Sequence, residues 1–230
     1  MTETAAAAQL RKEGWCVLRE IIPQPQAQQL RIALYGVFGG CGIMAPACFN
    51  NVPPGPICLR TSVIKDCPGL APYMVEPRLL EVLEAAVGRP LAVTSTTFLV
   101  HQPDEPAGPW HKGEPFDSTS APGAGPAAHV MLYWMFSQFT EENGGLLCRP
   151  QGCEGTLTIT GNVGDVAILD SRIPRAVAAN PSPLMRLSVA AGYATAGVGA
   201  PPKDTTSKMP KAVYEGMPAA AKLLFHHWVQ

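Results

Sequence analysis

Histidines and cysteines are the side chains most apt to hold a metal or attack a carbonyl. Here their spacing argues against most such uses. The seven cysteines (Cys16, Cys41, Cys48, Cys58, Cys67, Cys148 and Cys153) are odd in number, and none forms a C-x-x-C pair. None has an evident histidine and acid escort, so free thiols rather than a nucleophile are expected. His226 and His227 are adjacent on a predicted helix, so their rings diverge and do not easily share a cation. His129 opens an apolar strand and reads as a core or rim histidine, and Tyr133 and Trp134 behind it read as core. No histidine lies between His129 and His226. Asp165 and Asp170, in GDVAILD, read as turn-forming or capping residues. His111, in PWHKGEPFD, remains: an imidazole with a pKa near neutrality can serve as a general base.

The elements that must position these residues are short. Residues 4–13 read as a helix stopped by Gly14, and 15–19 as a strand. A second helix is expected over 26–37 and a third over 77–88, where Leu79, Leu80, Leu83 and Val87 share a face. Residues 38–58 read as a long loop rich in Gly, Pro and Cys, a candidate lid or partner surface. From residue 91 the chain turns β-branched. Strands are expected over 91–100, 129–136, 156–160, 164–170 and 185–194, with a Pro-rich loop over 101–127, a turn at 142–145 and a helix over 211–225. The strand at 129–136 is apolar on both faces and must be covered on both.

Composition supports one folded domain. Of 230 residues, 47% are apolar and 15% charged, which suits a buried core rather than disorder. The formal net charge of −1 offers no field for nucleic acid or an anionic membrane. Twenty-four prolines and 22 glycines break the chain into the short elements of an all-β architecture. No signal peptide and no run of about 18 apolar residues is seen, so a cytoplasmic protein outside the membrane is expected. The predicted fold is mainly β with helical cover (α+β). A single domain over 1–230 would place that cover at about 1–90, a β-sandwich or jelly-roll barrel at about 91–195, and a tail with a helix at 196–230.

Three segments, in order, resemble the phytanoyl-CoA dioxygenase-like family of iron/2-oxoglutarate oxygenases. They are GWCVLREIIP (14–23), TEENGGLLCRPQGCEG (140–155) and GDVAILDSRIPRAVAANPSPLMRLSV (164–189). The likeness spans roughly residues 10–195. It implies a double-stranded β-helix, a cupin-like jelly roll. It also implies a facial triad for Fe(II), a His-x-Asp/Glu pair plus a distal His, and an arginine that anchors the 2-oxoglutarate carboxylate. His111 matches the first His, and Arg186, eleven residues beyond Arg175, matches the anchor.

The other two positions depart from the pattern. Gly113 stands at the acidic position and Arg175 at the distal histidine. Related halogenases carry His-x-Gly but keep both histidines. Glu114 lies one residue out of phase, and a guanidinium beside it would oppose a cation. No metal is therefore expected, and Fe(II) least of all; 2-oxoglutarate or another carboxylate remains a candidate ligand.

Arg175 could join Arg186 in one pocket to grip a carboxylate. Alternatively it fills the vacated metal space and pairs with Glu114 or Asp117. His111 and Arg186 could themselves be relics of a lost site.

The favoured reading is a metal-free pseudoenzyme, an auxiliary subunit in hetero- or homo-oligomeric complex with a complete homologue in secondary-metabolite biosynthesis. Its contact surfaces would be 38–58 and the tail LLFHHWV (223–229). One alternative is a cofactor-independent isomerase, cyclase or lyase in which His111 moves a proton and Arg175 or Arg186 stabilises negative charge. Another is an active iron oxygenase with displaced ligands.

Overall fold

In the computed structural model, residues 4–39, 57–112, 127, 129–195 and 208–229 are described. Helix α1 (Ala5–Glu13) is opened by Thr4, whose hydroxyl accepts from the Ala7 amide, and closed by Gly14 at φ 81°. Strand β1 (Trp15–Leu18), helix α2 (Gln24–Gly39) and strand β2 (Ile57–Thr61) follow. Helix α3 (Pro77–Val87) carries Glu76 at its N-cap, whose carboxylate accepts from the Leu79 amide at 3.0 Å. Then come β3 (Leu91–His101), β4 (His129–Met135), β5 (Leu146–Cys148), β6 (Leu157–Ile159), β7 (Val166–Asp170), β8 (Arg175–Val177), β9 (Arg186–Thr195), α4 (Lys211–Glu215) and α5 (Ala219–Phe225).

Among the described residues nine strands make two antiparallel sheets. The larger has the order β1-β7-β4-β9-β3-β2 and the smaller β6-β5-β8. The stretch 104–111 extends the smaller sheet. It runs against 175–180 through Asp104 N–H to Asn180 O, Asn180 N–H to Glu105 O, Gly108 N–H to Val177 O and two reciprocal bonds between His111 and Arg175, all at 2.8–2.9 Å. Two facing antiparallel sheets with helices on one outer face form the jelly roll expected from the sequence.

Alternation along the central strands divides the molecule into two cores. On β9, Leu187, Val189, Ala191 and Tyr193 face outward with Val130, Leu132 and Trp134 of β4, into the core that includes α1, α3 and α5. The other face looks into the barrel: Tyr133, Met135, Ala167, Leu169 and Ala190 meet Leu146, Cys148 and Ile159 of the smaller sheet. This two-sided cover explains why β4 is apolar on both faces.

Three expectations need correction. Ile57–Thr61 is a strand paired with β3, although residues 57–58 were read as the end of a loop. The rest of 40–56 lies outside the described residues. The predicted helix over 211–225 is two short helices parted around Pro218. The tail is not a free contact surface. Leu224, Phe225 and Trp228 are buried in the outer core, and the Trp228 and His227 rings both donate to the Val93 carbonyl, at 2.8 and 2.9 Å. Leu223 and His226 are the exposed residues of that stretch. Among the described residues no helix is long and apolar enough to cross a membrane.

Candidate functional site inside the barrel

Register fixes which side chains share the barrel lining. β9 pairs with β3 so that Arg186 lies opposite His101 and Ser188 opposite Leu99. It pairs with β4 so that Ala190 lies opposite Tyr133 and Ala194 opposite His129. Opposed residues point to one face, so Arg186, Ser188, His101, Tyr133 and His129 all belong to the interior.

At one end of β9, the Arg186 guanidinium stacks on Phe139, 4.2 Å from the ring centroid. The residue is 3% exposed and its Nε has no hydrogen-bond partner. Burial lowers it to about 10, with Tyr133 opposing, so it stays cationic at neutral pH. His101, 1% exposed, has no hydrogen bond at either ring nitrogen; its closest acid is Glu105, 3.7 Å away. Burial and then the Arg186 charge push His101 down to about 4, against the nearby backbone of Pro106 and Gly144. Its ring is neutral at pH 7. Gly144, at φ 77°, allows this packing, because a Cβ there would collide with the imidazole. The Ser188 hydroxyl is also buried without a partner. Buried polar groups are normally paired; these three residues, on one wall of the barrel, are exceptions.

At the other end, His111 and Arg175 exchange both backbone hydrogen bonds at 2.9 Å. The two positions singled out in the sequence are thus direct neighbours. Arg175 is 4% exposed, and its Nε and Nη1 find no partner. Glu114 and Asp117, the acids proposed to pair with it, lie outside the described residues, as does Gly113. His111 is exposed overall, but surrounding protein still partly desolvates its ring. That desolvation and the Arg175 charge lower its pKa, against a bond to Pro109. Nδ1–H donates to the Pro109 carbonyl at 3.1 Å, so Nε2 is the acceptor nitrogen. Trp110 and Arg149 stack beside this mouth at 4.3 Å.

His129 is held rather than poised. Its ring lies between the Ser171 and Thr94 hydroxyls, and burial and the Arg175 charge lower it to about 4 against Asp170. Gly192 leaves room for that ring and for Thr94. Asp170 is chelated by Arg172 through Nε and Nη2, and Asp165 accepts from the Asn162 and Glu20 amides. Both acids therefore shape turns, as read from the sequence. His226 and His227 bond to separate carbonyls. Burial pushes the thiols of Cys16 and Cys148 up to about 12 and Cys67 to about 11, leaving no reactive thiolate among them.

The two arginines do not converge as one clamp. Arg175 acts on His111 and His129, Arg186 on His101. Sequence reasoning missed His101 and Ser188. Ser188 had a usable signal: two residues beyond Arg186 on a strand, it must share that arginine's face.

Among the described residues the donor set does not suit iron. One imidazole opposite a guanidinium offers a cation one ligand and one repulsive charge. Among the described residues no three His, Cys, Asp or Glu side chains come together to hold a metal. Arg186 and Ser188, by contrast, suit a carboxylate such as that of 2-oxoglutarate.

No protein-family model and no curated protein sequence matches the chain. Solved structures do. The α-ketoglutarate-dependent carbocyclase SnoK from nogalamycin biosynthesis superposes with a TM-score of 0.69 at 17% identity, over 85% of each chain. HygX from Streptomyces hygroscopicus, with nickel and 2-oxoglutarate bound, gives 0.65 at 16%, over 85% of this chain and 88% of its own. The epimerase SnoN, also from nogalamycin biosynthesis, gives 0.64 at 15%, over 83% and 80%. The likeness bears on architecture, and on that ground this chain has the double-stranded β-helix fold of the α-ketoglutarate-dependent non-heme enzymes.

Proposed function

We propose that this chain is a metal-independent member of the fold that binds an organic acid inside its barrel, in the biosynthesis of a secondary metabolite. The observation that carries the reading is the trio of buried, unpartnered polar side chains at one end of β9: the Arg186 Nε, the Ser188 hydroxyl and the His101 ring. An unpaired guanidinium in a low-dielectric interior is costly, and a carboxylate relieves it with charge-assisted hydrogen bonds. Arg175 at the position matching a metal-ligating histidine supports the metal-independent part. The biosynthetic setting rests on the named pathways of SnoK and SnoN.

Within that reading the chain serves as an auxiliary subunit beside a complete homologue. The oxygenase fold and both cores persist around a metal position that has changed sign. A second reading, a cofactor-independent isomerase, cyclase or lyase, is favoured by the His111 Nε2 acceptor beside the Arg175 guanidinium, a base next to a stabiliser of negative charge.

Calorimetry with 2-oxoglutarate in excess chelator tests the main claim. Binding is expected without metal and is expected to weaken by about 100-fold in Arg186→Gln. Binding that appears only after Fe(II) is added would remove the metal-independent part. Gly113→Asp combined with Arg175→His should create iron affinity that neither single change creates. Co-expression with a complete homologue and size-exclusion chromatography tests the subunit role, with co-elution expected.

A further inference from the structure

We infer that Arg175 is a second anion subsite, so that the ligand of this barrel is an elongated diacid with one carboxylate at Arg186 and the other at Arg175. The inference rests on the reading of the Arg186 pocket given above.

Arg175 is a buried cation with no counter-ion among the described residues. It is 4% exposed, and two of its guanidinium nitrogens have no hydrogen-bond partner. Its neighbours among the described residues supply no negative charge. Cys148, opposite it on β5, is a thiol rather than a thiolate. His111 and His129, which both feel its field, are neutral or positive and never anionic. Asp170, the acid acting on His129, is already chelated by Arg172. Leaving such a charge unpaired is expensive, whereas a carboxylate meets its planar fork in two parallel hydrogen bonds.

Geometry makes this a separate subsite. His101 lies opposite Arg186 and His129 lies opposite Ala194, eight residues further along β9. Arg186 lies opposite the first histidine, and Arg175 follows closely after Ser171, whose hydroxyl bonds the second. The two long side chains therefore enter the barrel from opposite ends. A monoacid satisfies one of them; a diacid of suitable length satisfies both.

Calorimetry with the straight-chain dicarboxylates from succinate to sebacate, each beside the monoacid of equal length, tests this on the full chain. One diacid length should bind at least about tenfold more tightly than its monoacid. Arg175→Gln should erase that advantage and leave monoacid affinity unchanged, Arg175→Lys should keep part of it, and Arg186→Gln should weaken both ligands. Thermal unfolding gives a second readout: Arg175→Gln should raise the midpoint without ligand and lower it, relative to the parent, at saturating diacid. If Arg175→Gln binds every diacid as the parent does while Arg186→Gln binds none, the second subsite is refuted and the Arg186 pocket stands. If Arg186→Gln leaves all acid binding intact, both readings fall.

Discussion

The two ends of this barrel are built from the same materials and behave differently. At each, a buried arginine sits near a buried histidine held down to about 4. At the Arg186 end the imidazole has no hydrogen-bond partner, the guanidinium leans on Phe139, and Ser188 is unpartnered. At the Arg175 end the histidine is fastened by Ser171 and Thr94, and a second histidine, His111, stands exposed at the mouth. The two hydroxyls close His129 off as a support, whereas the Arg175 guanidinium beside it, like that of Arg186, keeps nitrogens without a partner. What differs is the set of partners the neighbouring strands bring to each side chain, not the residue types themselves.

The largest expected effect is common to both ends. His101 and His129 titrate near 4 when folded, against 6.5 for a free histidine. The folded chain thus binds fewer protons than the unfolded one. Stability should be full above about pH 6.5 and fall as pH drops toward 4, by roughly 3 kcal/mol per histidine. Glu105, raised by burial, works in the opposite sense and trims the loss. Urea unfolding across that range measures it, and His101→Asn should remove about half of the slope. A curve flat from pH 7 to 4 would mean that neither ring is buried neutral.

Next comes Arg186→Gln, which should weaken organic-acid binding by about 100-fold, the usual scale for losing one partner of a buried charged pair. Equal affinity would show that the unpartnered donors at this end hold nothing. Gly144→Ala should cost about 2 kcal/mol in denaturant, since it forces a side chain onto φ 77° and into the His101 ring. Ser171→Ala should cost about 1 kcal/mol by freeing one His129 nitrogen, with acid affinity unchanged. A change in affinity there would erase the distinction between ligand site and support. His111→Ala should alter stability by less than about 0.5 kcal/mol, as expected of an exposed residue. Unchanged product formation in that variant would remove the isomerase, cyclase or lyase reading.

Much of the architecture was legible in the residues because strand periodicity and helix caps are local. The helix at 77–88 and the strands at 91–100, 129–136, 164–170 and 185–194 declared themselves within a window of about ten residues. The strand Ile57–Thr61 did not, because its reason for being extended is β3, some forty residues later. LLFHHWV misled for a similar reason. Its apolar residues look like a sticky tail until the Val93 carbonyl is seen accepting from two of its rings.

At the site the division is sharper. The lack of any histidine between His129 and His226, with arginines at 175 and 186, is a property of the chain alone, and it decides that the later half of the barrel offers guanidinium rather than imidazole. Strand alternation places Ser188 on the same face as Arg186 without any structure. Only tertiary pairing decided that Arg186 faces His101, that His111 faces Arg175, and that the two arginines serve opposite ends. The physical reason is that alternation sets which face a side chain takes, whereas cross-strand register sets what it meets there, and register comes from contacts far apart in the chain.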